Sequence, residues 1–93
     1  MLVYLDFGSP YKDMLGQSNF EFHTERGSAT VKEIIDDFMA SHEKFEITLS
    51  KKGYYSRKNS LFAVYAVNES IASREQTVAN GDKIKILFPA SGG

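Results

Sequence analysis

Large apolar residues open the chain: Leu2, Val3, Tyr4, Leu5 and Phe7 flank a single acid, Asp6, before Gly8, Ser9 and Pro10 break the run. A short bulky run that stops at turn residues predicts a strand over residues 2–7. Tyr11, Met14 and Leu15 then share helical spacing, but over so few residues that a loop is expected from Tyr11 to Gly16 rather than a helix. In NFEFHT, Phe20 and Phe22 alternate with Glu21 and His23. Two rings on one face and two polar groups on the other predict a second strand, antiparallel to the first. The strongest periodic signal is TVKEIIDDFMASH, where Val31, Ile34, Ile35, Phe38 and Met39 recur at i, i+3, i+4, i+7 and i+8 and draw one apolar stripe along a helix. Thr30 and Glu33 are spaced as a capping box, which puts the helix start at Thr30.

Beyond His42 the pattern admits two readings. Phe45, Ile47 and Leu49 alternate with Glu46, Thr48 and Ser50 up to Gly53, which predicts a short strand, with a helical turn as the alternative. The polar, basic YYSRKNS leads into LFAVYAVNE, whose nearly continuous apolar run predicts a strand buried on both faces inside a sheet. Asn80-Gly81-Asp82 supplies residues suited to positive φ, and KIKILF ends the pattern with Ile84 and Ile86 on one side. Two strands, a helix, then further strands with an apolar one among them is the order of a β-grasp domain, an α+β fold in which a mixed sheet packs on one main helix. The intervening helix lets the first and last strands lie side by side and parallel.

Composition narrows the class. The 93 residues suffice for one domain and are too few for two. With 42% hydrophobic and 25% charged residues the chain reads as globular rather than disordered, and no apolar run approaches the length of a membrane helix. Eleven basic and 12 acidic residues leave a net charge of -1, which provides no summed field to gather nucleic acid. The sequence has no cysteine, which excludes disulfides, thiolate metal sites, a cysteine nucleophile and a side-chain persulfide. The opening MLVYLDF lacks the basic region, long apolar segment and cleavage site of a signal peptide, so a cytoplasmic location is expected.

The last strand runs directly into FPASGG. Pro89 has no N–H and a fixed φ, so it ends the paired strand and turns the backbone outward. Residues 1–89 are therefore expected to form the β-grasp domain and residues 90–93 a flexible tail. Four residues span about 13 Å when extended, enough to enter a cleft on a partner. Gly92 and Gly93 have no side chain to collide with the walls of such a cleft. A carboxylate at Gly93 is a poor electrophile until it is activated, most simply as an acyl-adenylate made with ATP. The seven glycines show neither GxxxxGK[ST] nor GxGxxG spacing, so no bound cofactor is expected here and ATP is assigned to a separate enzyme. Phe62, Val64 and Ala66 alternate with Leu61, Ala63 and Tyr65. If one sheet face is uncovered there, the surface near Phe62 and Phe88, together with Pro89, Ala90, Ser91 and Gly92, is expected to contact partners.

The opening strand followed by MLG (residues 14–16), the helix start ATVKEIIDDF, AVNES (residues 66–70), the NGDKIKIL turn and strand, and FPASGG stand in one order and spacing. Over nearly its whole length the chain resembles the MoaD and ThiS family of ubiquitin-like sulfur carriers, most closely the MoaD branch, the small subunit of molybdopterin synthase. The resemblance implies that Gly93 is adenylated by an activating enzyme of the MoeB or ThiF kind and converted to a thiocarboxylate with sulfur from a donor. It further implies that a MoaE-like large subunit uses this sulfur on a pterin precursor of the molybdenum or tungsten cofactor. The chain would then be the sulfur-donating half of a synthase and not a catalyst alone. The alternatives are a sulfur carrier for thiamine or tRNA thiolation and a ubiquitin-like protein modifier. Ubiquitin carries arginines before its glycines where this tail has none, which favours a carrier. The chain departs from the family in carrying GSPYKD where an Arg-rich segment is common, and in its basic KKGYYSRKNS stretch.

Other polar residues give weaker signals. His23 and His42 lack ligand spacing and cysteine companions, so no metal site is expected. His42 is placed at a helix C-terminus, where positive charge suits the dipole. No GxSxG or similar motif sets up a hydrolase nucleophile. Asp36 and Asp37 point about 100° apart on a helix and are expected on a solvated face. Lys51, Lys52, Arg57 and Lys58 with Tyr54 and Tyr55 have the makeup of a single-strand nucleic-acid surface, but the near-neutral total charge favours a solvated loop.

Overall fold

A computed structural model of the chain describes residues 1–89. The expected first strand is present as β1 (Leu2–Phe7), in which Val3, Leu5 and Phe7 are buried while Tyr4 is exposed. The expected loop after it is instead a short helix, α1 (Tyr11–Leu15). Five residues cannot hold a helix on propensity alone, so the cause is tertiary: Tyr11 is fully buried and anchors the turn. Gly16, at φ 83°, closes it by donating its N–H to the Lys12 carbonyl at 2.9 Å, a backbone region in which glycine carries no Cβ penalty. β2 (Asn19–His23) runs antiparallel to β1, with Phe20 opposite Leu5 and Phe22 opposite Val3.

After β3 (Ala29–Thr30), the expected helix appears as α2 (Val31–Ala40). The Glu33 N–H donates to Thr30 Oγ1 at 3.1 Å and the Thr30 N–H donates to Glu33 Oε1 at 2.9 Å, so both halves of the capping box form. Val31, Ile34, Ile35, Phe38 and Met39 are all buried. The strand predicted next is a second long helix, α3 (Glu43–Lys51). Phe45 and Leu49 lie one helical turn apart and are buried, whereas Ile47 is 45% exposed. Alternating residues at 45, 47 and 49 satisfy both periods at their ends, and packing of the two end residues chose the helix.

The hairpin of β4 (Tyr55–Ser56) and β5 (Ser60–Leu61) follows, then β6 (Val64–Val67), β7 (Ser70–Ala72), β8 (Thr77–Val78) and β9 (Lys83–Leu87). β8 pairs with β3. The main sheet has the order β2-β1-β9-β6-β7, with β1 and β9 parallel as expected and the remaining neighbours antiparallel. β6 lies inside this sheet and Tyr65, Ala66 and Val67 are buried in succession, so both faces are covered there as expected, but the segment from 61 to 69 is not continuous: it breaks at Phe62 and Ala63, and Val64 is 38% exposed. The break has a cause. Phe62 spends its backbone groups on other partners, its N–H donating to the Tyr54 carbonyl and its carbonyl accepting from Tyr11. Val3, Leu5, Phe7, Tyr65, Ile84 and Ile86 meet the α2 stripe in one core, so the fold is a β-grasp, with α3 as an addition to the main helix. No helix among the described residues is long and apolar enough to cross a membrane.

Candidate functional site

The central strand of the sheet, β9, ends in an aromatic cluster. Phe88 is gripped by three rings, with centroids 5.6 Å from Tyr11, 5.2 Å from Tyr54 and 5.5 Å from Phe62, each close to edge-to-face. That geometry sets the positive edge of one ring against the negative face of another. Tyr54 and Phe62 lie nearly parallel at 6.2 Å. The backbone ties the same residues together: the Phe62 N–H donates to the Tyr54 carbonyl at 2.7 Å, and Tyr11 Oη donates to the Phe62 carbonyl at 2.7 Å. Burial above all, and then the neighbouring Tyr65 and Tyr54, hold the Tyr11 phenol well above its ordinary range. It therefore stays protonated and serves as a donor.

Phe62 and Phe88, separated by 26 positions in the sequence, are thus brought into contact, and Phe62 is 51% exposed. They sit at the end of the strands, and an apolar stripe continues from them across the outer sheet face. Register places Val64 opposite Leu87, and Ala66 between Lys85 and Ile71. Leu87 is 40% and Ile71 76% exposed. Gly8 makes room for Leu87, since a Cβ at position 8 would stand 3.1 Å from its Cδ2. Sequence reasoning missed Ile71 and Leu87, and placed Tyr54 in a solvated basic loop rather than against Phe88. The signal for Leu87 was present in KIKIL, where an inward Ile84 and Ile86 oblige Leu87 to point outward. Pro89 follows Phe88 half-buried, and Ala90, Ser91, Gly92 and Gly93 lie outside the described residues.

The remaining polar candidates fall elsewhere. Asp36 is not on a solvated face: Oδ1 accepts from Tyr55 Oη at 3.1 Å and Ser60 Oγ at 3.0 Å, and Oδ2 from Lys32 Nζ at 2.6 Å. Tyr55, buried beside this carboxylate, has its phenol pushed up to about 12, chiefly by burial and then by the charge of Asp36 and their hydrogen bond. Asp37 pairs with Arg26 Nε at 2.7 Å. His42 stacks on Phe38 at 3.9 Å, and its Nδ1 lies 3.0 Å from the Phe38 carbonyl at the end of α2, as expected. His23 stands apart on β2, and the described residues contain no cluster of His, Asp and Glu that could hold a metal.

A model of the ThiS family matches residues 12–93. No curated protein matches the sequence significantly. Among solved structures, SAMP1 from Haloferax volcanii superposes with a TM-score of 0.77 at 19% identity, covering 100% of both chains. A Pyrococcus furiosus protein assigned as molybdopterin converting factor subunit 1 gives 0.69 at 22% identity over 97% of this chain and 99% of its own. A structure of the complex of subunits 1 and 2 of the molybdopterin-converting factor from Helicobacter pylori gives 0.58 at 20% identity, covering 100% of both chains. At these identities the likeness shows the fold, a ubiquitin-like β-grasp.

Proposed function

Because the chain belongs to the ThiS family, we propose that it is a ubiquitin-like sulfur carrier in which Gly93 is the group loaded and unloaded. The observation that carries this reading is the placement of β9: the strand leading to the last residues is the central strand of the sheet, paired on both sides, and Phe88 beyond it is held by three rings. A partner that reads Pro89 to Gly93 reads them against a fixed reference point. The exposed Phe62, Val64, Leu87 and Ile71 give it apolar area to bury next to that point.

In the first step a Gly93 carboxylate oxygen attacks the α-phosphorus of ATP on a separate adenylating enzyme and expels pyrophosphate. Hydrosulfide released by the sulfur donor then attacks the acyl carbon, AMP leaves with the electron pair of the broken C–O bond, and loss of the S–H proton leaves the thiocarboxylate. The thiocarboxylate carries its charge on a soft sulfur, a far better nucleophile than the oxygen it replaced. The sulfur acceptor in this reading is a molybdopterin precursor on a second, larger subunit. The shared fold with a molybdopterin converting factor subunit 1 and with a complex of two such subunits supports that choice. The similarity to SAMP1, also described as a small archaeal modifier protein, supports the second reading, in which a lysine amine takes the place of sulfur at the same acyl carbon. Both readings share adenylation. ATP–pyrophosphate exchange catalysed by an adenylating enzyme of the same organism should depend on this chain and vanish when Gly93 is deleted; exchange that persists without Gly93 contradicts both.

A further inference from the structure

The charge of this chain is unevenly placed. Lys51, Lys52, Arg57 and Lys58 fall within eight residues that contain no acid, leaving seven basic against 12 acidic residues elsewhere. A net -1 molecule is therefore a +4 segment attached to a body of -5. All four side chains are exposed, and none belongs to an ion pair among the described residues. They stand at the end of α3 and in the β4-β5 hairpin, and this hairpin is joined to the aromatic cluster: Tyr54 lies between Lys52 and Arg57 in the chain and packs on Phe62 and Phe88. Between hairpin and cluster opens a pocket of about 390 Å³ lined by Tyr54, Ser56, Asn59, Phe62 and Arg74. Arg74 donates to the Asn59 carbonyl and puts a cation on the pocket wall, in addition to the four basic residues outside it.

An apolar centre bordered by charges of one sign is how protein interfaces are built, with burial supplying affinity and the charged border steering and selecting the partner. We infer that Lys51, Lys52, Arg57 and Lys58 form the charged border of the partner-binding end, and that the protein which activates this chain meets it through an acidic surface. The pocket beside Arg74 receives one of that partner's acidic side chains. A nucleic acid is the poorer occupant, because a body of -5 repels a continuous phosphate chain that four cations cannot offset beyond their own hairpin.

This inference rests on the carrier reading, and one titration separates the two. ATP–pyrophosphate exchange by the adenylating enzyme is measured against the concentration of the full chain, for wild type, for K51Q/K52Q/R57Q/K58Q and for K51E/K52E/R57E/K58E. At low salt the Glu variant should raise KM about tenfold or more and the Gln variant by less, with kcat unchanged. Near 1 M salt, where the Debye length is about 3 Å, the KM values should converge. Circular dichroism should show the same fold for all three, since the replaced side chains are exposed. Wild-type turnover with equal KM for the variants overturns the charged border alone. No turnover of the wild type overturns the carrier reading and this inference with it. Equal KM together with a single-stranded oligonucleotide that is retained on nitrocellulose by the wild type only assigns the cations to nucleic acid, which also overturns it.

Discussion

Asp36 and Asp37 are adjacent in the chain, yet one carboxylate organises the interior edge of a hairpin and the other holds a surface arginine. Asp36 accepts from Tyr55, Ser60 and Lys32, and so ties α2 to both strands of the β4-β5 hairpin. Replacing it with alanine leaves the hydroxyls of two buried residues, Tyr55 and Ser60, short of a partner. D36A should lower the unfolding free energy by about 1–3 kcal/mol in a urea titration, and D37A by about 1 kcal/mol or less. The hydroxyls also fix the alkaline behaviour. Tyr55 ionises at about 12 in the folded chain against about 10 unfolded, so the unfolded state loses its proton first and stability falls as pH rises from about 10 towards 12. Tyr11 and Tyr65 are shifted upward as well, both chiefly by burial, and act in the same direction. Y55F should shrink this alkaline loss without abolishing it, as thermal melts across that pH range will reveal.

At the scale of elements, α3 offers a sharp test because strand and helix place its residues differently. On a strand Phe45, Ile47 and Leu49 share a face; on the helix only Phe45 and Leu49 enter the core. F45A and L49A should each cost about 2–4 kcal/mol, and I47K less than about 0.5 kcal/mol. A large loss from I47K would contradict the helix. Thr30 tests the best-signalled element: T30A removes the acceptor for the Glu33 N–H and should cost about 1 kcal/mol. The contrast explains what was readable beforehand. The α2 stripe, its cap, the bulky run of β1 and the alternation in β2 and β9 are local patterns that each favour one element. α1 depends on one buried tyrosine whose hydroxyl reaches residue 62, and α3 on partners far away in the chain. No window around Tyr11 or Phe45 contains those contacts. In the candidate site, Phe62 and Phe88 were legible as aromatic residues flanking apolar strands, whereas Tyr54 joined them only because the hairpin folds its ring against Phe88.

For the whole molecule, β9 is the central strand of the five-stranded sheet and leads into the aromatic cluster around Phe88. The apolar stripe and the aromatic cluster share one end, so damage there should separate binding from folding. F62D replaces a half-exposed ring and should leave the fold intact while abolishing copurification with the adenylating enzyme; L87D should do the same from the outer face. Retained copurification with a folded F62D would remove Phe62 from the interface. Mass spectrometry of the C-terminal peptide after incubation with ATP, the adenylating enzyme and a sulfur donor reads the Gly93 carboxyl directly. One oxygen of Gly93 should be replaced by one sulfur; an unchanged Gly93 carboxylate, or its appearance only as an amide on lysines of other proteins, would contradict a sulfur carrier.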